Sequence, residues 1–172
     1  MRIVAGSLRG RRFEAPPGNE TRPSSDFIRE TAFNLIGPVE GARVCDLYAG
    51  SGGLGLEALS RGAASCLFVD SSSGACATIR ANLERLGLAG SVFRRDAVAA
   101  LAGECEPFDL ILCDPPYALD AAALLAPHLL RLLAPAGLLV YQTAAAVEPT
   151  LEGLEVVTSR RYGSARLTLL SR

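Results

Sequence analysis

The stretch that most constrains this chain is Asp46-Leu47-Tyr48-Ala49-Gly50-Ser51-Gly52-Gly53-Leu54-Gly55, which follows an apolar strand-like run and opens a helix-like one. A strand that turns on glycines into a helix must return by a crossover, so the next strand lies parallel to it. The same order repeats along the chain. Strand patterns occupy 43–47, 66–69, 91–94, 108–113 and 137–142, with helical patterns near 53–61, 73–87, 97–102 and 118–133. Runs such as Asp109-Leu110-Ile111-Leu112-Cys113 are apolar without alternation, as in a parallel sheet covered on both faces. Two more strands, near 154–160 and 165–171, flank Tyr162-Gly163-Ser164, a connection short enough to make them an antiparallel hairpin. At the other end, residues 2–5 and 11–15 suit a small hairpin about Ser7-Leu8-Arg9-Gly10. After the loop Pro16-Pro17-Gly18-Asn19, a helix capped by Ser24 or Ser25 runs to about Ile36 and is stopped by Gly37-Pro38.

Gly50, Gly52 and Gly55 match the dinucleotide pattern G-x-G-x-x-G, and Asp70 lies 20 residues after Gly50, where a carboxylate holds ribose hydroxyls. An NAD-binding oxidoreductase is therefore the rival reading. Asp46, four residues before the first glycine, argues against it, because a carboxylate there repels a pyrophosphate but welcomes the ammonium and sulfonium of S-adenosylmethionine. Hydride chemistry also wants a proton donor. The chain has no lysine, and its one histidine, His128, falls in a leucine-rich helical segment. S-adenosylmethionine is the expected cofactor. Its contacts are expected at Asp46, at Ala49, Gly50, Ser51 and Gly52 of the turn, and at Asp70 and Ser71 for the ribose. Asp96 and Ala97 are expected at the adenine, although an acid there also suits a helix cap.

Asp46, Asp70, Asp96 and Asp114 all fall at strand ends, the side on which open α/β sheets bind ligands. The last opens Asp114-Pro115-Pro116-Tyr117, directly after an apolar strand. Prolines cannot extend a central strand, and here they stiffen a bend that holds a carboxylate and a carbonyl beside an aromatic ring. That equipment grips a planar amino group. Hydrogen bonds to Asp114 and the Pro115 carbonyl would bend a conjugated nitrogen toward tetrahedral geometry, with Tyr117 stacked on its ring. Asp114, Pro115, Pro116 and Tyr117 are the candidate catalytic residues, and Asp114 also faces the cofactor. The motif alone leaves adenine N6, cytosine N4, guanine N2 and the glutamine amide open.

Charge narrows the partner. Residues 1–13 carry Arg2, Arg9, Arg11 and Arg12 without an acid, and 158–172 carry four more arginines without one, against an acidic middle. Basic ends suit phosphate if they meet in space. The five cysteines contain no C-x-x-C and mostly sit in apolar runs, as reduced, buried thiols do. No metal is expected. No apolar run is long enough to span a bilayer, and the arginine-broken start is unlike a signal peptide, so the expectation is a cytoplasmic protein without a membrane partner.

The segment Arg22-Pro23-Ser24-Ser25-Asp26-Phe27-Ile28-Arg29-Glu30-Thr31-Ala32-Phe33-Asn34 resembles the R-P-[ST]-x-D-x-x-R-E-x-x-F-N segment of the RsmD family. The opening Ile3-Val4-Ala5-Gly6-Ser7-Leu8-Arg9-Gly10-Arg11, the glycine turn and the D-P-P-Y motif extend the likeness over nearly the whole chain. The resemblance implies a class I, S-adenosylmethionine-dependent, Rossmann-like methyltransferase fold. Such a fold has a seven-stranded, mostly parallel sheet with the last strand antiparallel, plus a small N-terminal extension of hairpin and helix. It divides the chain into an RNA-binding arm over 1–22 and a methyltransferase domain over 23–172. It implies methylation of guanine N2 in 16S ribosomal RNA, within a small-subunit assembly particle, by a monomer. Phosphates would lie on Arg2, Arg9, Arg11 and Arg12 and on Arg22 and Arg29 near the cleft, with the target base splayed into the pocket. The alternatives are an amino methyltransferase for adenine N6 or a protein glutamine and, from another class, a catalytically silent RNA-binding module.

Overall fold

The computed structural model describes residues 1–16, 26–116 and 121–172. Twelve elements follow one another: α1 (Asp26–Ile36), β1 (Arg43–Leu47), α2 (Gly53–Ser60), β2 (Ser65–Asp70), α3 (Ser73–Leu86), β3 (Ser91–Arg94), α4 (Ala97–Gly103), β4 (Phe108–Cys113), α5 (Ala122–Leu132), β5 (Leu133–Ala144), β6 (Glu155–Tyr162) and β7 (Ala165–Ser171). The seven strands form one sheet in the order β3-β2-β1-β4-β5-β7-β6. All pairings are parallel except those of β7, which runs against both β5 and β6. The chain winds outward from β1 to β3, then restarts at β4 on the other side of β1. The crevice between β1 and β4, at the carboxyl edge, is thus the topological switch point.

Side-chain alternation divides the interior into two cores. Val44, Phe68, Leu110 and Leu112 face the layer of Ile3, Phe13, Phe33, Leu56 and Ile79 from the arm, α1, α2 and α3. Leu47, Ile111, Cys113 and Leu139 face Leu101, Leu125 and Leu129 from α4 and α5. Both faces of the central strands are dry, so their sequence carries no polar alternation.

The N-terminal hairpin pairs Arg2 with Arg12, and the Ile3 amide donates to the Arg11 carbonyl at 2.9 Å. It lies along α2 in the first core, with Ile3 and Phe13 both buried. Glu57, fully buried, accepts the Val4 and Ala5 amides at 2.8 and 2.9 Å and Arg61 Nε at 2.9 Å. A Cβ on Gly6 would stand 1.9 Å from the Ser60 carbonyl oxygen, so only glycine lets the hairpin seat against the end of α2. Ser60 lies at the amino edge, because α2 runs back from the glycine turn. The closed end of the hairpin, with Arg9, therefore lies at the amino edge. At its open end, Asn82 holds Glu14 by both backbone groups at 2.9 Å and reaches the Ser51 carbonyl at 3.2 Å.

Two expectations are corrected. Strand β5 begins at Leu133 rather than near 137, because Leu133, fully buried, pairs with Phe108 and a register shift takes up the Pro135–Gly137 step. Four cysteines are buried as expected, but Cys105 is exposed in the loop before β4. Among the described residues no helix is long and apolar enough to cross a membrane. The proposed caps Ser24 and Ser25 lie outside the described residues.

Candidate active site

The site begins with Asp46, the fourth of the five residues of β1 and only 2% exposed. Its Oδ2 accepts the Gly55 amide at 2.8 Å across the turn. Burial drives the Asp46 carboxyl up to about 8, the nearby Asp114 and Asp70 charges push the same way, and the Gly55 amide opposes them. Among the described residues this buried acid, beside two others, has no positive partner.

The turn itself is strained and tied. Tyr48 has φ 57°, in the left-handed region, where an aromatic residue is rare. Gly50 has φ 56°, and a Cβ there would meet nothing nearer than the Tyr48 carbonyl at 3.9 Å, so Gly50 is needed for its conformation and presents an open side. Gly55 is needed for space: a Cβ there would sit 2.3 Å from Phe68 Cε1 and 2.7 Å from Cys66 Sγ. The Ala49 amide donates to the Val69 carbonyl at 3.1 Å, which hangs the turn on β2.

Asp70, the last residue of β2, accepts the Gly50 amide on Oδ2 and the Ser72 amide on Oδ1, each at 2.8 Å. The expected ribose residue is thus also the clamp of the glycine turn, with lone pairs left on both oxygens. Ser71 beside it is exposed, and Ser72 caps α3. Asp96 caps α4 by accepting the Ala99 amide at 3.1 Å, with Ala97 buried behind it, so the helix-cap role is present at this position.

Asp114 follows β4 directly and is half-buried, with Pro115 buried and Pro116 exposed. Register pairs Leu47 with Cys113 and Cys113 with Tyr141, which puts Asp114 between the ends of β1 and β5. By strand parity Asp46 and Asp114 belong to the same face of the sheet, that of Val44 and Leu112. The structure therefore gathers Asp46, Ala49–Gly52, Asp70 and Asp114 at one edge. Tyr117 and Arg22 lie outside the described residues.

The expected RNA contacts divide. Arg2, Arg9, Arg11 and Arg12 are exposed. Arg2 Nε bonds Asp26 at 2.9 Å, and Arg11 Nη2 reaches the Arg85 carbonyl at 3.3 Å. Arg29 is corrected: it is fully buried, with Nη2 bonded to the Arg2 carbonyl at 2.8 Å and Asp26 at 2.7 Å and its guanidinium over the Phe13 ring. It welds the arm to α1 and offers nothing to solvent.

One site residue has no signal in the motif. Tyr48 falls between the motif's acid and its glycines, and burial drives its phenol up to about 12, with Cys113 and Asp96 adding to the shift. Its side chain packs, partly buried, against the second core. A hollow of about 400 Å³, lined by Ile36, Val39, Asp109 and Leu138 among others, opens at the opposite, amino edge. It gathers none of the strand-end acids.

A family model described as "Conserved hypothetical protein 95" matches residues 1–171. The chain is 46% identical over 123 residues to YlbH of Bacillus subtilis, provisionally named an rRNA methyltransferase; the match covers 68% of this chain and 67% of YlbH. It is 37% identical over 119 residues to ribosomal RNA small subunit methyltransferase D of Escherichia coli, covering 68% of this chain and 60% of that protein. The matched stretch is thus less than two thirds of the length of the Escherichia coli relative. The solved structure of yhhF from Escherichia coli superposes with a TM-score of 0.89 at 31% identity, covering 100% of this chain and 97% of that one.

Proposed function

This chain belongs to the Conserved hypothetical protein 95 family, with the RsmD-like and YlbH-like methyltransferases, and we propose that it methylates the exocyclic N2 amino group of a guanine in 16S ribosomal RNA. Its sheet, of order 3-2-1-4-5-7-6 with antiparallel β7, is that of a class I S-adenosylmethionine-dependent methyltransferase. The observation that carries the reading is the meeting of Asp46 and Asp114 at the switch point, the first buried and held up to about 8, the second on a proline-stiffened bend.

The residues fit S-adenosylmethionine. A buried acid without a cationic partner is relieved when a positive group arrives, and the open side of Gly50 leaves room for a ligand against the turn. A pyrophosphate would instead meet the three carboxylates Asp46, Asp70 and Asp114. When bound, S-adenosylmethionine supplies a methyl group made electrophilic by its sulfonium. Asp46 answers the positive charge. Asp70 holds the ribose through its remaining lone pairs while keeping Gly50 and Ser72 in place, and Asp96 and Ala97 border the adenine.

The second half of the edge orients the acceptor. The N2 lone pair of guanine is delocalised into the ring, so the nitrogen is a poor nucleophile. Asp114 and the Pro115 carbonyl accept hydrogen bonds from its two N–H groups and draw it toward tetrahedral geometry, which turns the lone pair toward the methyl group. As the N–CH3 bond forms and the S–CH3 bond breaks, the one proton the nitrogen sheds passes by way of Asp114 to solvent. Tyr117 stacks on the splayed base. Positioning and fixed charge supply the catalysis without a strong base. Arg2 and Arg12, at the open end of the arm, meet phosphates of the RNA.

The test offers the protein radiolabelled donor with small-subunit particles, naked 16S RNA, DNA and a peptide release factor in parallel. The expected result is label on particles, mapped by mass spectrometry to guanine N2. Label on adenine N6 or on glutamine would replace the substrate, and no label anywhere, with no binding of S-adenosylhomocysteine, would leave a silent RNA-binding module.

A further inference from the structure

Strand β6 lies at the edge of the sheet and, being antiparallel to β7, runs in the same sense as β4. It therefore ends at the carboxyl edge, on the far side of β5 and β7 from Asp114. Its last residues are Arg160, Arg161 and Tyr162, and both arginines are exposed. Neither forms an ion pair among the described residues.

The hairpin that carries them is braced from within. Arg166, 3% exposed, donates from Nη1 to Glu148 at 2.7 Å and to Ser159 Oγ at 2.9 Å, and from Nε to the Ala145 carbonyl at 3.3 Å. Its charge is met by Glu148. Arg161 stands directly across from Arg166 in the ladder, a like-charge pairing that disfavours the hairpin unless something else calls for it. Arg160 pairs with Leu167 and Tyr162 with Ala165, so these two face the core that also contains the Asp114 side of the sheet.

On that face stands Phe27, in the first turn of α1, 60% exposed. Its ring meets Tyr162 edge-on, with centroids 6.1 Å apart at 73°. Next to it Asp26 holds Arg2 of the arm at 2.9 Å. The two basic ends of the chain do meet, joined through the start of α1. By contrast, Arg9 and Arg11 belong to the closed half of the arm, beside the ends of α2 and α3 and a helix length from Asp114.

We propose that the β6–β7 tip together with Phe27 is a second single-stranded RNA contact, which holds the nucleotide beside the methylated base. Phe27 offers a ring for the neighbouring base, and Arg160, on the same face, takes a phosphate that flanks it, whereas Arg161 lies on the opposite face with Arg166. An exposed arginine without an ion pair among the described residues, on the same face as an exposed aromatic, is the recognition chemistry of single-stranded nucleic acid. The assignment rests on the RNA methyltransferase reading above.

The test uses the full chain and a fluorescent single-stranded RNA oligonucleotide, titrated across a range of salt. Arg160→Ser should lose about 0.7 from the slope of log affinity against log salt, the share of one phosphate contact, while Arg161→Ser, on the opposite face, should leave the slope unchanged. Phe27→Ala should weaken binding about 5- to 100-fold, and Phe27→Trp should restore it. Affinity for S-adenosylhomocysteine, read by calorimetry, should stay as in the parent. An unchanged slope in Arg160→Ser, with the parent still methylating ribosomal RNA, overturns the tip while leaving the enzyme reading intact. A parent that binds no RNA and transfers no methyl overturns both.

Discussion

The two halves of the carboxyl edge are built differently. Around β1 and β2, carboxylates point inward and are consumed by backbone amides: Gly55 on Asp46, Gly50 and Ser72 on Asp70. At β4 and β6 the strand ends are more open, with Asp114 half-buried on its bend and Arg160 and Arg161 exposed on a hairpin braced from behind by Arg166. The first half is a fixed mould, suited to one small molecule of constant shape. The second is a rim of charge and aromatic surface, suited to a polymer whose only constants are phosphates and stacked bases. The same residue type, aspartate, thus stands in two different settings within one edge.

The sharpest way to break the comparison is Asp114→Ala. If the halves are separate, turnover should fall by at least 10²–10³-fold, the scale of removing one preorganised polar contact to a reacting group. Affinity for S-adenosylhomocysteine should stay within a few-fold of the parent. Single-turnover methylation and calorimetry read the two. A parallel loss of cofactor affinity would make Asp114 part of the mould.

Next comes Asp70→Ala, which strikes the mould alone. It removes the acceptor of two amide bonds from a charged group, each about 1.5–3 kcal/mol where buried and less here because Asp70 is partly exposed. Cofactor affinity should fall about 10- to 100-fold, with a lower melting temperature, while RNA affinity is kept. Asp70→Asn should recover part of the melting temperature through its remaining carbonyl oxygen. Loss of RNA binding in step with cofactor binding would join the halves into one unit.

How much of this was legible depends on how far apart the interacting residues lie. Strands such as Phe108–Cys113 and Arg43–Leu47 could be read from apolar runs alone, because a strand buried on both faces leaves a local signature. Gly55 could be read from spacing, because the helix must pass against Phe68 directly after the turn. Arg29 could not. An arginine reads as exposed, and its burial needs the Arg2 carbonyl and the Phe13 ring, brought to it from another element. Leu133 was hidden because Pro135 reads as a break, whereas the pairing with Phe108 carries the strand past it. The β6–β7 tip was visible as a basic stretch but had no address, since its place at the edge depends on strand order. Tyr48 was hidden most completely, because nothing local announces a positive φ on an aromatic residue.

The smallest effect concerns a single proton. Burial, reinforced by Asp114 and Asp70, raises the Asp46 carboxyl in the folded protein to about 8 from an ordinary 3.8. Between those values this group binds more protons in the folded state than in the unfolded state, so its contribution to stability is greatest in acid and declines as pH rises toward 8. Asp46→Asn, which can still accept the Gly55 amide, should flatten that part of a melting-temperature profile. A cation beside Asp46 would lower its pKa, so binding of S-adenosylhomocysteine, which keeps the ammonium, should release close to one proton at pH 7 and none well above pH 9. Calorimetry in two buffers of different ionisation enthalpy counts it. Release of no proton at pH 7 would mean that Asp46 never meets the ligand's charge, and the mould would then be a structural clamp with its cofactor held elsewhere.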